Sequence, residues 1–201
     1  MLSLIVYESD RCNTEAIARV LGDEFSRTRP TLLVRLDDMA YRIPVGVDLL
    51  VIGSSTQNRQ PTPLLDRWLQ ALDPHEVRGL TAVVFDTRSP LPGWLSGSAA
   101  REITRLLLAK GAHILEQPMS FFADAGQGHL LDGELERARR WAQMVGDRSW
   151  LHVRPVFQPI EAHPDLSLRK WRFHWLQAKD HQGTTTAPSP TALRSEGSPP
   201  G

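Results

Sequence analysis

The chain has 201 residues, 23 of them basic and 23 acidic, and a formal net charge of zero. That length accommodates one domain with a real core and residues to spare, and the charge balance argues against nucleic acid or a bulk membrane surface as a partner. The single cysteine, Cys12, excludes an intramolecular disulfide and an all-cysteine metal site.

Leu4, Ile5, Val6 and Tyr7 form a short apolar run. Six polar or small residues follow, and from Thr14 the residues Ile17, Ala18, Val20 and Leu21 recur at helical spacing. A buried strand, a tight polar loop and a helix N-terminus read off in that order. In an open α/β sheet ligands sit at such a junction, and the free N–H groups of the first helical turn favour an anion. The helix is expected to run to about Glu24. Thr31 to Leu36 reads as a second strand. Asp48 to Ile52 is nearly unbroken apolar sequence, the pattern of a parallel strand buried on both faces.

Gly53 to Pro63 is a long polar loop, with Thr62 as a cap and Pro63 at the first position of the next helix. Leu64, Leu65, Trp68, Leu69 and Leu72 mark that helix's buried face, and Asp73-Pro74-His75 ends it. Thr81 to Phe85 is another central strand, and Asp86 to Gly97 a second long loop. Ser98 to Lys110 is a helix that Gly111 stops. Ala112 to Leu115 is the last strand, which Pro118 to Phe122 either extends or underlies. After a loop at Gly126 to Gly133, Glu134 to Val145 forms the closing helix, with Leu135, Ala138, Trp141, Ala142 and Val145 on one face.

Strands alternating with helices predict a doubly wound α/β domain over residues 1–147. The remaining 148–201 form a C-terminal extension, with a short basic, tryptophan-bearing helix at 165–179 and a disordered Ser/Thr/Pro/Gly-rich tail at 183–201. Imperfect amphipathicity in 165–179 ranks docking on its own domain or partial disorder first, partner binding second and membrane contact last. No apolar run approaches the roughly 20 residues that span a bilayer. No basic segment followed by a long apolar run is visible, so a cytoplasmic protein is expected.

The Ser9–Thr14 loop suits a phosphate, held by backbone N–H groups and the hydroxyls of Ser9 and Thr14. The plainer reading is that Asn13 or Thr14 merely caps the helix. Cys12, beside Arg11 at a helix N-terminus, is either a reactive thiol or an inert neighbour of the core. The seven histidines are scattered, with no metal-ligand spacing.

Five motifs in register resemble the flavodoxin-like family. They are Val6-Tyr7-Glu8-Ser9 with Asn13 to Ala18; Leu50 to Thr56 with Arg59 to Pro63; Phe85-Asp86-Thr87-Arg88 with Trp94 and Gly97 to Ala100; Ala109 to Ala112 with Pro118, Phe121 and Phe122; and Gly133 to Glu136. The resemblance implies a five-stranded parallel sheet of order 2-1-3-4-5 and FMN at its carboxyl edge. Ser9, Arg11, Cys12, Asn13 and Thr14 would then form the phosphate loop. Ser54, Ser55, Thr56, Gln57 and Asn58 would line one side of the ring, and Asp86, Thr87, Arg88 and Trp94 the other. The chain departs from the family at Cys12, where glycine is usual, and at Gln57 to Arg59, which lack the usual aromatic or glycine. The implied role is electron transfer with a redox protein partner rather than chemistry on one substrate. The alternative is a flavin-free interaction or regulatory module on the same fold.

Overall fold

The computed structural model describes residues 1–9, 12–38, 42–91, 97–124 and 128–151. Arg11, Trp94, the helix expected at 165–179 and the tail at 183–201 lie outside these residues. Among the described residues there are six strands: β1 (Leu2–Glu8), β2 (Thr31–Arg35), β3 (Val47–Ser55), β4 (Thr81–Arg88), β5 (His113–Ile114) and β6 (Met119–Phe122). The helices are α1 (Asn13–Ser26), α2 (Pro63–Ala71), α3 (Pro74–Val77), α4 (Ala99–Ala109) and α5 (Glu134–Leu151), with a 3-10 turn at Leu36–Asp38.

The strand order is β2-β1-β3-β4-β5, all parallel, as the sequence predicts. The fifth position is split. β5 pairs with β4 at Thr81–Ala82, and β6 pairs with it again at Phe85–Arg88. The expected strand Ala112–Leu115 is therefore cut to His113–Ile114, one residue shorter at each end, and the pairing with β4 resumes at Met119, beyond Pro118, which has no N–H to give a ladder.

Alternation along the strands sends Ile5, Tyr7, Val51, Val83, Phe85 and Phe121 to one face. There they share a core with Ile17, Leu21 and Phe25 of α1 and Ala138, Trp141 and Val145 of α5. Phe85, Phe121 and Trp141 meet edge to face, with centroids 5.9 to 6.4 Å apart. Leu4, Val6, Leu50, Ile52 and Val84 fill the opposite face, under α2 and α4 with the buried Trp68, Leu65, Ile103 and Leu107.

Four local expectations are corrected. Thr62 makes no side-chain cap; its own N–H instead donates to Ser54 Oγ (3.3 Å). Asp73 does not simply end α2 but caps α3, accepting from His75 N (2.8 Å). Leu135 is 44% exposed, because the first turn of α5 puts Glu134 and Arg137, not Leu135, against the edge strand β6. Finally, α5 continues through Gly146 to Leu151. The buried Arg29 donates to Gly146 O and to Ser149 Oγ, so a tertiary anchor outweighs the local cost of glycine. Burial lowers the Arg29 pKa from its ordinary value.

Candidate functional site

The carboxyl ends of β1, β3, β4 and β6 open into a groove of about 320 Å³. Ser9, Asn13, Thr14, Ser55, Thr56, Gln57, Thr87 and Arg88 line it, together with Ser89, Ala123, Asp124 and Gly128. Eight residues expected from the sequence thus converge on one concavity. The last four were not expected. They follow the carboxyl ends of β4 and β6, and the placement of ligands at such ends is the signal that would have found them.

The first loop is built around Cys12, which caps α1 at φ 57°, ψ −11° and offers no side-chain hydrogen bond to the helix. Neither Asn13 nor Thr14 caps α1 either. Asn13 Nδ2 reaches across to Gly128 O (2.8 Å), and Thr14 Oγ1 shares a hydrogen bond with Thr87 Oγ1 (2.8 Å). Among the described residues no side chain caps the first turn of α1, whose residues Asn13 and Thr14 line the groove. Ser9 stands beside them, 6% exposed, and its hydroxyl has no partner. The Ser55 hydroxyl is likewise buried without one.

Asp86 does not line the groove. It is fully buried beneath it, and its Oδ2 accepts from Thr56 Oγ1 (2.9 Å), Ser98 Oγ (2.7 Å) and Ala100 N (3.0 Å). Thr56 Oγ1 in turn accepts from Ala99 N (3.0 Å). One carboxylate thus ties the second loop, the third loop and the start of α4 together. Ser54 is also buried, donating to Ser55 O and accepting from Thr62 N.

Arg88 is held along the rim, with Nε on Ser120 Oγ (3.0 Å), Nη1 on Leu91 O (2.9 Å) and its guanidinium over the Phe122 ring. Cys12 and Asn58 are exposed and outside the groove lining. Gln57 and Gln60 exchange backbone hydrogen bonds (2.9 and 2.8 Å) around Asn58 and Arg59, both at positive φ. This is the geometry of a type I′ turn, which ordinarily favours glycine where Arg59 stands. Arg59 also bridges to Gly97 of the third loop. A Cβ at Gly97 would lie 2.3 Å from Arg59 Cβ, so only glycine permits that approach.

No family model matches this chain, and no curated protein matches it. Solved structures do. A flavodoxin from the domain Archaea superposes with a TM-score of 0.63 at 16% identity, over 75% of this chain and 99% of that one. The oxidised flavodoxin 1 from Bacillus cereus gives 0.62 at 16% identity, over 77% and 100%. The flavodiiron protein from Giardia intestinalis gives 0.60 at 16% identity over 75% of this chain, which spans 36% of that larger one.

The chain has the flavodoxin-like fold. At such identity the likeness concerns the fold, and function has to be argued from the groove. In this flavodoxin-like sheet no helix among the described residues is long and apolar enough to cross a membrane. No group of His, Cys, Asp and Glu among the described residues is placed to hold a metal ion.

Proposed function

We propose that this flavodoxin-like protein binds FMN in the groove and serves electron transfer. The observation that carries the reading is the unsatisfied donor set at the first loop: an α1 N-terminus without a side-chain cap, and the buried, unpartnered Ser9 hydroxyl. Such a set fits a phosphate, whose oxygens accept from backbone N–H groups and hydroxyls and whose charge suits the positive end of the helix dipole. Ser9, Asn13 and Thr14 would hold it. Ser55, Thr56 and Gln57 would border the rest of the cofactor on one side, with Thr87 and Arg88 on the other. Arg88, already fixed by Ser120 and Leu91, places a positive charge at the rim without needing to reorganise. Bound FMN would supply reversible electron transfer, and the protein would set its orientation and potential. The partner is a redox protein.

A second reading is favoured by one observation. The Arg59–Gly97 bridge joins the two loops between which the resemblance puts the flavin ring. If it stays closed, the fold serves as a flavin-free interaction module.

The test is the absorbance spectrum of the purified full chain, followed by titration with FMN and with riboflavin, which lacks the phosphate. FMN binding at least about tenfold tighter than riboflavin, weakened by Ser9→Ala, supports the phosphate cradle; tenfold corresponds to about 1.4 kcal/mol, the size of one hydrogen bond to a charged group. A colourless protein that binds neither at micromolar concentration favours the flavin-free module.

A further inference from the structure

The far edge of the sheet is β6, Met119-Ser120-Phe121-Phe122. Nothing in that strand is charged, and two aromatic residues stand together. An uncharged, apolar strand at a sheet edge is the type of segment that pairs with another chain.

Backbone groups alternate along a strand. Phe121 is turned towards β4, as is Ala123, whose N–H donates to Arg88 O (2.9 Å). Ser120 and Phe122 therefore turn their N–H and C=O outward, away from the sheet. These are the four groups a further strand would engage, and three of them are occupied from within the chain. Phe122 N donates to Glu134 Oε2 (3.1 Å). Phe122 O accepts from Leu131 N (2.9 Å). Ser120 O accepts from Arg137 Nη2. Glu134 and Arg137 stand one turn apart at the start of α5 and are ion-paired at 2.5 Å. The Arg137 guanidinium also lies over the rings of Phe121 (5.0 Å) and Phe122 (5.2 Å).

We propose that Glu134 and Arg137 form a latch: a carboxylate acceptor and a guanidinium donor take the places of a neighbouring strand's carbonyl and amide, and so close the edge of the sheet against a second copy of this chain. A second copy is the occupant excluded, because an identical β6 brings the same uncharged apolar strand and the same outward N–H and C=O spacing. A carboxylate and a guanidinium hold the backbone by charge-assisted hydrogen bonds. A competing strand must break those before it can pair. The exposed Leu131 and Leu135 flank the latch and would be covered by the pairing it prevents. The proposal is independent of whether FMN binds.

The test compares the full chain with its Glu134→Ala/Arg137→Ala variant by sedimentation velocity over a concentration series and by amide exchange. In the unaltered protein the Phe122 amide should be protected, and the sedimentation coefficient should not change with concentration. The double variant should associate as concentration rises, with Phe122 exchanging quickly when dilute and slowly when concentrated. Adding Ser120→Pro should reverse the association, since proline removes an outward N–H and leaves the pairing with β4 intact. A double variant that keeps its circular dichroism and stays monomeric at concentrations where the Phe122 amide exchanges freely would overturn the proposal. So would an unaltered protein whose Phe122 amide is unprotected, a measurement that needs no variant to fold.

Discussion

Asp86 offers the sharpest test of how the groove is held together. Replacing it by alanine removes one acceptor oxygen and leaves the Thr56 hydroxyl, the Ser98 hydroxyl and the Ala100 N–H to find new partners. The two hydroxyls are only part-buried and can turn to water, whereas the Ala100 N–H is in a fully buried residue and cannot. A hydrogen bond to a charged acceptor is worth about 1.5–3 kcal/mol net. Three sharing one oxygen do not add fully. Among the described residues Asp86 enters no ion pair, so the variant also recovers part of the cost of burying an unpaired charge. The balance is a loss of about 3–4 kcal/mol, from charged hydrogen bonds offset by recovered desolvation. Asp86→Asn keeps an acceptor in place and loses only its charge and the attraction to the α4 N-terminus, about 1–2 kcal/mol. Urea unfolding followed by tryptophan fluorescence reads both, and amide exchange at Ala99 and Ala100 locates the effect. If Asp86→Ala costs less than about 1 kcal/mol, the carboxylate does not hold the loops, and the account built on these three bonds fails.

Gly53 faces the ring of Phe85, and a Cβ there would meet three ring atoms at 2.2 to 2.8 Å. Phe85 is itself wedged by Phe121 and Trp141, so Gly53→Ala should cost about 3 kcal/mol, the upper range for overpacking; a melting temperature within a degree of the unaltered protein would refute this. Cys12→Gly should stabilise by about 0.5–1 kcal/mol, because relief of left-handed strain exceeds the entropy glycine costs, and should tighten FMN binding; Cys12→Ala should do neither. Equal stability and affinity in the two variants would show that backbone strain at this cap is not what matters. Tyr7 is held above the ordinary phenol range by burial first and by Glu15 second. A raised folded value means its contribution is complete below the unfolded pKa, near 10, and is lost as pH climbs through the folded one. Tyr7→Phe should flatten the alkaline limb of the stability curve, and an unchanged limb would contradict the assignment.

Five motifs and the alternation of apolar runs with helical periodicity made the fold legible in the sequence, because parallel strands buried on both faces leave a continuous apolar signature that surface segments do not. The same local logic placed Ser9, Asn13, Thr14, Thr56 and Gln57 in loops or at a helix start; Ser55, Thr87 and Arg88, read as loop, are instead the last residues of β3 and β4, whose pairing runs past the apolar stretch, and parallel strands in register bring all these ends to one edge. The left-handed demand at Cys12 was legible too, since the residue stands where glycine is usual and its φ is 57°.

Tertiary structure decided the rest, because it depends on partners distant in the chain. Asp86 lies beside Thr87 in sequence, yet alternation turns one side chain down into a buried network and the other toward the groove. The groove's last wall comes from Ala123, Asp124 and Gly128, and the Asn13–Gly128 hydrogen bond, 115 residues apart, joins it to the first loop. The length of α5 reads from its sequence as ending near Val145, but a buried arginine from the α1–β2 connection carries it through Gly146. Propensities and periodicities are properties of neighbours in the chain, whereas satisfying a buried polar group is a property of whatever the fold brings within about 3 Å.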